Sequence, residues 1–264
     1  MSSTPTDTLF DEYMEIVRRL RKECPWDKEQ THQSLRPALI EEAYEVVESI
    51  DHNNMPELKS ELGDLLVHVA MHSVMAEETN AFTIEDVVQS SKEKLVRRHP
   101  HIFGDTKVSG AQEVKANWEK LKMAEGRTSM IQGVPKELPA LLRAYRLQEK
   151  ASKVGFDWKE KSHVWEKVKE EIRELGEAEQ SGNAAHIEDE LGDLLFALVN
   201  YSRFLHVNPE IALRKSVEKF TKRFQGIEQE LKSQGKKIEE TTLEEMDEIW
   251  NRHKSQVQSS KSKV

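Results

Sequence analysis

"EEAYEVVESIDHNNMPELKSELGDLL", Glu41 to Leu66, decides the fold. Ala43, Val46, Val47 and Ile50 recur at three- and four-residue steps, the rhythm of an amphipathic helix. Asp51-His52-Asn53-Asn54 ends that helix, and Pro56 suits the first turn of the next. The second helix continues through Leu62, Leu65, Leu66, Val69 and Met75. So short a connection between two long helices predicts an antiparallel pair. Glu42 and Glu45 stand roughly 60° apart on one helical face, and Glu61 and Asp64 do the same on the partner. With these faces inward, four carboxylates converge. Ser34 is the expected cap of the first helix, and Gly63 would let the backbones approach where the acids meet, as Gly192 would further on.

Outward from this hairpin the helical spacing persists, as in Phe10, Tyr13, Met14, Val17 and Leu20. No run alternates as a strand does, so the expected class is all-α. The hairpin also has a copy. "EEIRELGEAEQSGNAAHIEDELGDLLFAL" carries Glu171, Glu174, Glu190 and Asp193 at a constant offset of 129 from Glu42, Glu45, Glu61 and Asp64. "KLVRR" (Lys94 to Arg98) parallels "KFTKR" (Lys219 to Arg223), and Trp118 parallels Trp250. A repeat this long suits a duplicated domain rather than a solenoid. Residues 1–123 form the expected first domain and 140–264 the second, with a disordered tail from about 255. Between them "AEGRTSMIQGVPKELP" (124–139) breaks helical rhythm with Gly126, Gly133, Pro135 and Pro139 and reads as a linker.

Of the 264 residues, 33% are charged and 37% apolar, with a net charge of −9. That balance predicts no nucleic-acid partner, because phosphate backbones need a basic footprint. No segment approaches a membrane span and no signal peptide opens the chain, so no membrane partner and a cytoplasmic location are expected. Cys24 is the single cysteine and reads as a small apolar residue before Pro25.

Four crowded carboxylates would repel one another, and a hard divalent cation such as Mg²⁺ relieves that crowding. The competing reading is a solvated acidic face. Di-iron chemistry calls for Glu-x-x-His pairs, which these acids lack. His68 and His72 follow Asp64, but the second copy has Ala197 and Tyr201 there, so both histidines read as structural or exposed. Glu29 and His32 have that spacing but stand alone. Phosphoryl chemistry fits better: Lys219, Lys222 and Arg223 offer cations for phosphate oxygens. Trp250 and Trp118 are either core or stacking platforms. There is no Walker-type loop.

The ordered series EExxE, ExxD, distal Lys-Arg helix and tryptophan resembles the MazG family. "CPWDKEQTH", "RRHPHIFGD", "VGFDW" and "LGDLLFALVN" extend the likeness over nearly the whole chain. The resemblance implies two tandem all-α domains, each with an antiparallel helix pair completing a four-helix core in a homodimer. It implies Mg²⁺-dependent hydrolysis of nucleoside triphosphates to monophosphate and pyrophosphate, with broad base specificity, in nucleotide-pool housekeeping or stress regulation. Glu171, Glu174, Glu190 and Asp193 match the metal ligands, as Glu42, Glu45, Glu61 and Asp64 do in the first copy. Lys167, Glu170, Asp189, Asp193, Lys219, Lys222, Arg223 and Trp250 fall on substrate-binding positions, and His186 stands where the family pattern has a lysine. Glu170 is a candidate to orient the attacking water, and the second domain is the expected catalyst. Two other readings stay open: a helical interaction protein without activity, and a same-fold pyrophosphohydrolase narrowed to a substrate such as dUTP or phosphoribosyl-ATP.

Overall fold

The computed structural model describes residues 5–111, 113–114, 117–118, 121 and 129–261. Among them the chain is helical and without strands, and it divides into two compact units, residues 1–118 and 119–264.

The first unit contains α1 (Pro5–Glu23), α2 (Pro25–Glu29), α3 (Arg36–Asp51), α4 (Met55–Glu77), α5 (Ile84–Arg98) and α6 (Pro100–Phe103). Helices α3 and α4 form the expected hairpin, and α1 packs on α4. Met14 and Val17 of α1 meet Ala70, Met71, Val74 and Met75 of α4 in a buried cluster with Leu35 and Ile84. Two ion pairs tie α1 to the end of α4: Arg18 to Glu77 at 3.3 Å and Arg21 to Glu78 at 2.7 Å. Asn54 caps α4 by accepting from the Glu57 backbone N–H, with Pro56 in the first turn.

The second unit holds α7 (Ala140–Ser152), α8 (Lys161–Ser181), α9 (Ala184–Phe204), α10 (Pro209–Ser233), a 3₁₀ turn (Ile238–Glu240) and α11 (Leu243–Lys261). Helices α8 and α9 form the second hairpin, burying Val164, Val168, Ala178, Ala197 and Val199. Helices α10 and α11 close on each other through Ile227, Leu231 and Ile249, while α7 packs on α9 and α10. Asn183 caps α9 by accepting from the N–H groups of Ala185 and His186.

The two hairpin turns share one backbone device. Asn53 (φ 53°) and Gly182 (φ 65°), 129 residues apart, both take the left-handed conformation just after the first helix. Beyond the second helices Asn80 (φ 52°) and His206 (φ 57°) do likewise. Each of these two is followed by a six-to-one bond, Ala81 N–H to the Ala76 carbonyl and Val207 N–H to the Ser202 carbonyl, both 3.0 Å. The bend is conserved between the halves although the residue is not.

Several expectations need correction. Ser34 does not cap α3: Leu35 holds that position without a side-chain bond, because the helix is started by the fixed φ of Pro37. Ser34 Oγ instead closes a turn with Thr31 and Gln30. Gly63 and Gly192 do not mark close helix contacts, since a Cβ at either position meets nothing within 4 Å. Both sit on exposed faces of their hairpins. Helix α11 runs through Lys261. Residues 262–264 lie outside the described residues, as do 124–128 of the expected linker. Its remainder is anchored to α7: buried Lys150 donates to the carbonyls of Met130 (3.3 Å) and Gln132 (3.1 Å).

Each hairpin leaves apolar side chains in solvent. Ile40, Ile50, Leu62, Leu66 and Val69 are exposed in the first unit, and Ile172, Leu191, Leu195 and Leu198 in the second.

Candidate active site

Helix α3 brings Glu42 and Glu45 to Glu61 of α4, and α8 brings Glu171 and Glu174 to Glu190 of α9. In each trio the nearest carboxylate oxygens all lie within 4.8 Å of one another. The duplication read from the sequence is therefore a duplication of geometry. Asp64 and Asp193 are not part of these trios. They sit exposed one turn further along α4 and α9, although the Asp64 charge is felt at Glu42 and Glu61.

The two trios differ in their counter-ions. In the second, Lys167 Nζ lies 2.7 Å from Glu171 Oε1 and 3.0 Å from Glu170 Oε1. Arg173 Nη2 reaches Glu174 Oε1 at 3.3 Å, and His186 Nε2 reaches Glu190 Oε1 at 3.1 Å. The hydrogen bonds that the Lys167 ammonium donates to Glu171 and Glu170 hold its pKa well above the usual lysine range. Glu171 is only 5% exposed, so its charge has little solvent to lean on. At the repeat offset, Lys167, Arg173 and His186 correspond to Ala38, Tyr44 and Glu57. At these three positions the first hairpin carries no cation. Desolvation there pushes Glu42 and Glu61 up, and the charges of Glu45 and Asp64 push further; Glu57 adds to the effect on Glu61.

Other expected site residues lie on a different helix pair. Lys219, Lys222 and Arg223 are on α10 and Trp250 is on α11. The Arg223 guanidinium sits 5.3 Å from the Trp250 ring centre, and Phe220 packs against the same indole at 5.4 Å. Lys222 pairs with Glu218. Among the described residues, no hydrogen bond or ion pair joins these four side chains to the carboxylate trio. Asp189 is exposed on α9.

Three arrangements were not foreseen from the sequence. Arg173 pairs with Glu174 and Glu177, and its four-residue spacing from Glu177 was the available signal. His32, taken as standing alone, comes to His72, with Nδ1 atoms 2.8 Å apart and rings stacked. Burial pushes His72 down, and His32 and His68 add to this; His68 is itself buried. A cavity of about 600 Å³ in the second unit is lined by Gln148, Phe156, Trp158, Phe196 and Arg203 among others. The Arg203–Asp157 pair at 2.6 Å stands on its wall. Contacts between distant segments build the last two, and no local pattern announces them.

Comparison with known proteins addresses both halves. The sequence profile described as "MazG nucleotide pyrophosphohydrolase domain" matches residues 30–103 and 160–227, just over half of the chain. Each span holds one hairpin with its trio. A Thermotoga maritima protein named "Nucleoside triphosphate pyrophosphohydrolase/pyrophosphatase MazG" is 46% identical over 251 residues, covering 93% of this chain and 96% of that one. The Escherichia coli "Nucleoside triphosphate pyrophosphohydrolase" is 41% identical over 256 residues, covering 94% and 97%. A crystal structure of a mazG-related protein from Thermotoga maritima covers 43% of this chain and 98% of its own, at 27% identity and a TM-score of 0.38, too weak a likeness to bear on the fold. The profile and the two full-length relatives agree with the motifs: this chain belongs to the MazG nucleotide pyrophosphohydrolase family, with two copies of its domain in tandem.

Proposed function

We propose that the protein hydrolyses nucleoside triphosphates to nucleoside monophosphate and pyrophosphate, with Mg²⁺ held by Glu171, Glu174 and Glu190 of the second unit. The carrying observation is the trio itself, three oxygen donors from two helices within 4.8 Å of one another and no soft ligand among them. All-oxygen carboxylate sets suit Mg²⁺, which keeps waters for a phosphate ligand. Family membership and the names of the full-length relatives support the same reaction. Bound there, Mg²⁺ would neutralise phosphate charge and lower the pKa of a coordinated water.

The protein's own residues then divide the work. Glu170, on the trio's side of α8, orients the water or accepts its proton. Asp193, one turn past Glu190, completes the ligand set through a small shift of its exposed side chain. Lys167, His186, Lys219, Lys222 and Arg223 meet phosphate oxygens, Trp250 stacks on the base beside Arg223, and Asp189 contacts the nucleotide. In the first unit Glu42, Glu45, Glu61 and Asp64 hold an ion in a structural or weaker site, since no cation corresponding to Lys167 is there to meet phosphate. A homodimer is part of this reading. The exposed apolar residues of each hairpin need cover, and a second copy completes a four-helix core. Broad base acceptance, a cytoplasmic setting and a role in nucleotide-pool housekeeping or stress regulation go with it.

The test is turnover of a panel of nucleoside triphosphates with and without Mg²⁺, with the products identified. Monophosphate and pyrophosphate from several bases support the proposal. Cleavage of dUTP or phosphoribosyl-ATP alone would replace it with the narrow enzyme, and no turnover of any substrate would leave a helical interaction protein.

A further inference from the structure

The second trio already carries a bound cation: an ammonium of its own chain. We propose that Lys167 is a resident counter-ion that makes this trio take up its divalent ion together with a phosphorylated ligand rather than alone. The inference rests on the metal-dependent reading above and adds a coupling that reading does not require.

Three observations carry it. Lys167 Nζ contacts Glu171 of the trio at 2.7 Å and the neighbouring Glu170 at 3.0 Å, so it competes with an entering ion for the Glu171 carboxylate. Glu171 is the most buried acid of the trio, so breaking its ion pair with Lys167 without replacement leaves a desolvated charge. The first trio is an internal control, because Ala38 stands at the position of Lys167 and cannot fill that role.

The physical consequence is a linkage. An ion arriving alone at the second trio gains carboxylate oxygens but displaces the ammonium into solvent. An ion arriving with a triphosphate displaces it onto a phosphate oxygen, because the flexible four-carbon stem lets the charge swing while its anchor on α8 stays fixed. Metal and nucleotide therefore strengthen each other's binding, by the same factor in both directions. At the first trio no such exchange exists, so its ion affinity is indifferent to nucleotide.

The experiment uses the full chain and Mn²⁺ as a paramagnetic probe, with Glu45→Gln introduced to remove the first trio's signal. Mn²⁺ affinity is measured with and without an α,β-methylene nucleoside triphosphate, which resists cleavage between those phosphates. With Lys167 present, the analogue tightens Mn²⁺ binding about tenfold, within the usual range of coupling between sites. Lys167→Met binds Mn²⁺ alone more tightly and loses most of the coupling, and Lys167→Arg restores it. Thermal melts establish that each variant is folded. If Lys167→Met shows unchanged Mn²⁺ affinity and unchanged coupling, the inference is overturned. Turnover of ordinary substrates by the parent protein, followed in parallel, separates the two claims. Turnover with coupling independent of Lys167 defeats only the counter-ion role, and coupling without turnover defeats only the proposed reaction.

Discussion

Glu45 and Glu174 occupy the same place in the repeat and meet different neighbours. Glu174 has Arg173 beside it, within a trio that Lys167 and His186 also contact; Glu45 lies with Glu42 and Glu61, and the repeat positions of those three cations hold Tyr44, Ala38 and Glu57. Glu174→Gln is therefore expected to cut the release of pyrophosphate by about a hundredfold, the scale of losing one preorganised electrostatic group. Glu45→Gln should alter turnover far less. If their effects are reversed, the catalytic assignment moves to the first unit. The acids were legible in the sequence because spacing and duplication both marked them. Their counter-ions were only partly so. Lys167 was legible as a charge near the motif, but its engagement with Glu171 depends on the rotamer it takes. Asp64 and Asp193 were read as equal partners of the trios; each stands one turn further along its helix than the acid that joins the trio.

Helix boundaries were the most legible elements, because they depend on local chemistry. Pro56 and the turn residues around Asn53 and Gly182 end and begin helices where expected, whereas Ser34 lost its role to Pro37 two residues into a stronger start signal. Asn183 makes two cap hydrogen bonds at the head of the helix carrying Glu190. Replacing it with alanine should lower the unfolding free energy by about 1 kcal/mol in a urea titration. A second element-scale expectation concerns the tie between α1 and α4. The hydrogen bond from Arg21 holds Glu78 below the usual carboxylate range. The folded state thus binds that proton less readily than the unfolded chain. This stabilisation is fully present above the ordinary carboxylate pKa and is lost as pH falls through the depressed one. Glu78→Gln should accordingly melt below the parent at neutral pH, and the gap should narrow on acidification. A gap that widens in acid contradicts the assignment.

For the whole molecule, the all-helical class followed from spacing alone, and the repeat marked two copies of one unit, as the two matched spans of the family profile do. Sequence could not say where α10 and α11 would lie. Lys219, Arg223 and Trp250 are joined by a cation–aromatic contact and a small core rather than by the carboxylates. That arrangement depends on long-range packing with no periodic signature. The exposed apolar residues on both hairpins lead to a whole-molecule expectation: light scattering should return twice the chain mass. Leu195→Glu, a charge on the exposed face of α9, should shift the mass towards that of one chain. A parent protein that scatters as a single chain removes the four-helix core from the proposal.

The left-handed residues at 53 and 182 have a further consequence. They sit at surface loop tips, where an extra residue is ordinarily harmless. Here each tip acts as a gauge that sets the rotation of the helix behind it. One residue inserted after Gly182 would turn α9 by about 100° if the new helix kept its start. Glu190 would then face away from Glu171 and Glu174, and the enzyme would be silenced with every acid still in its sequence.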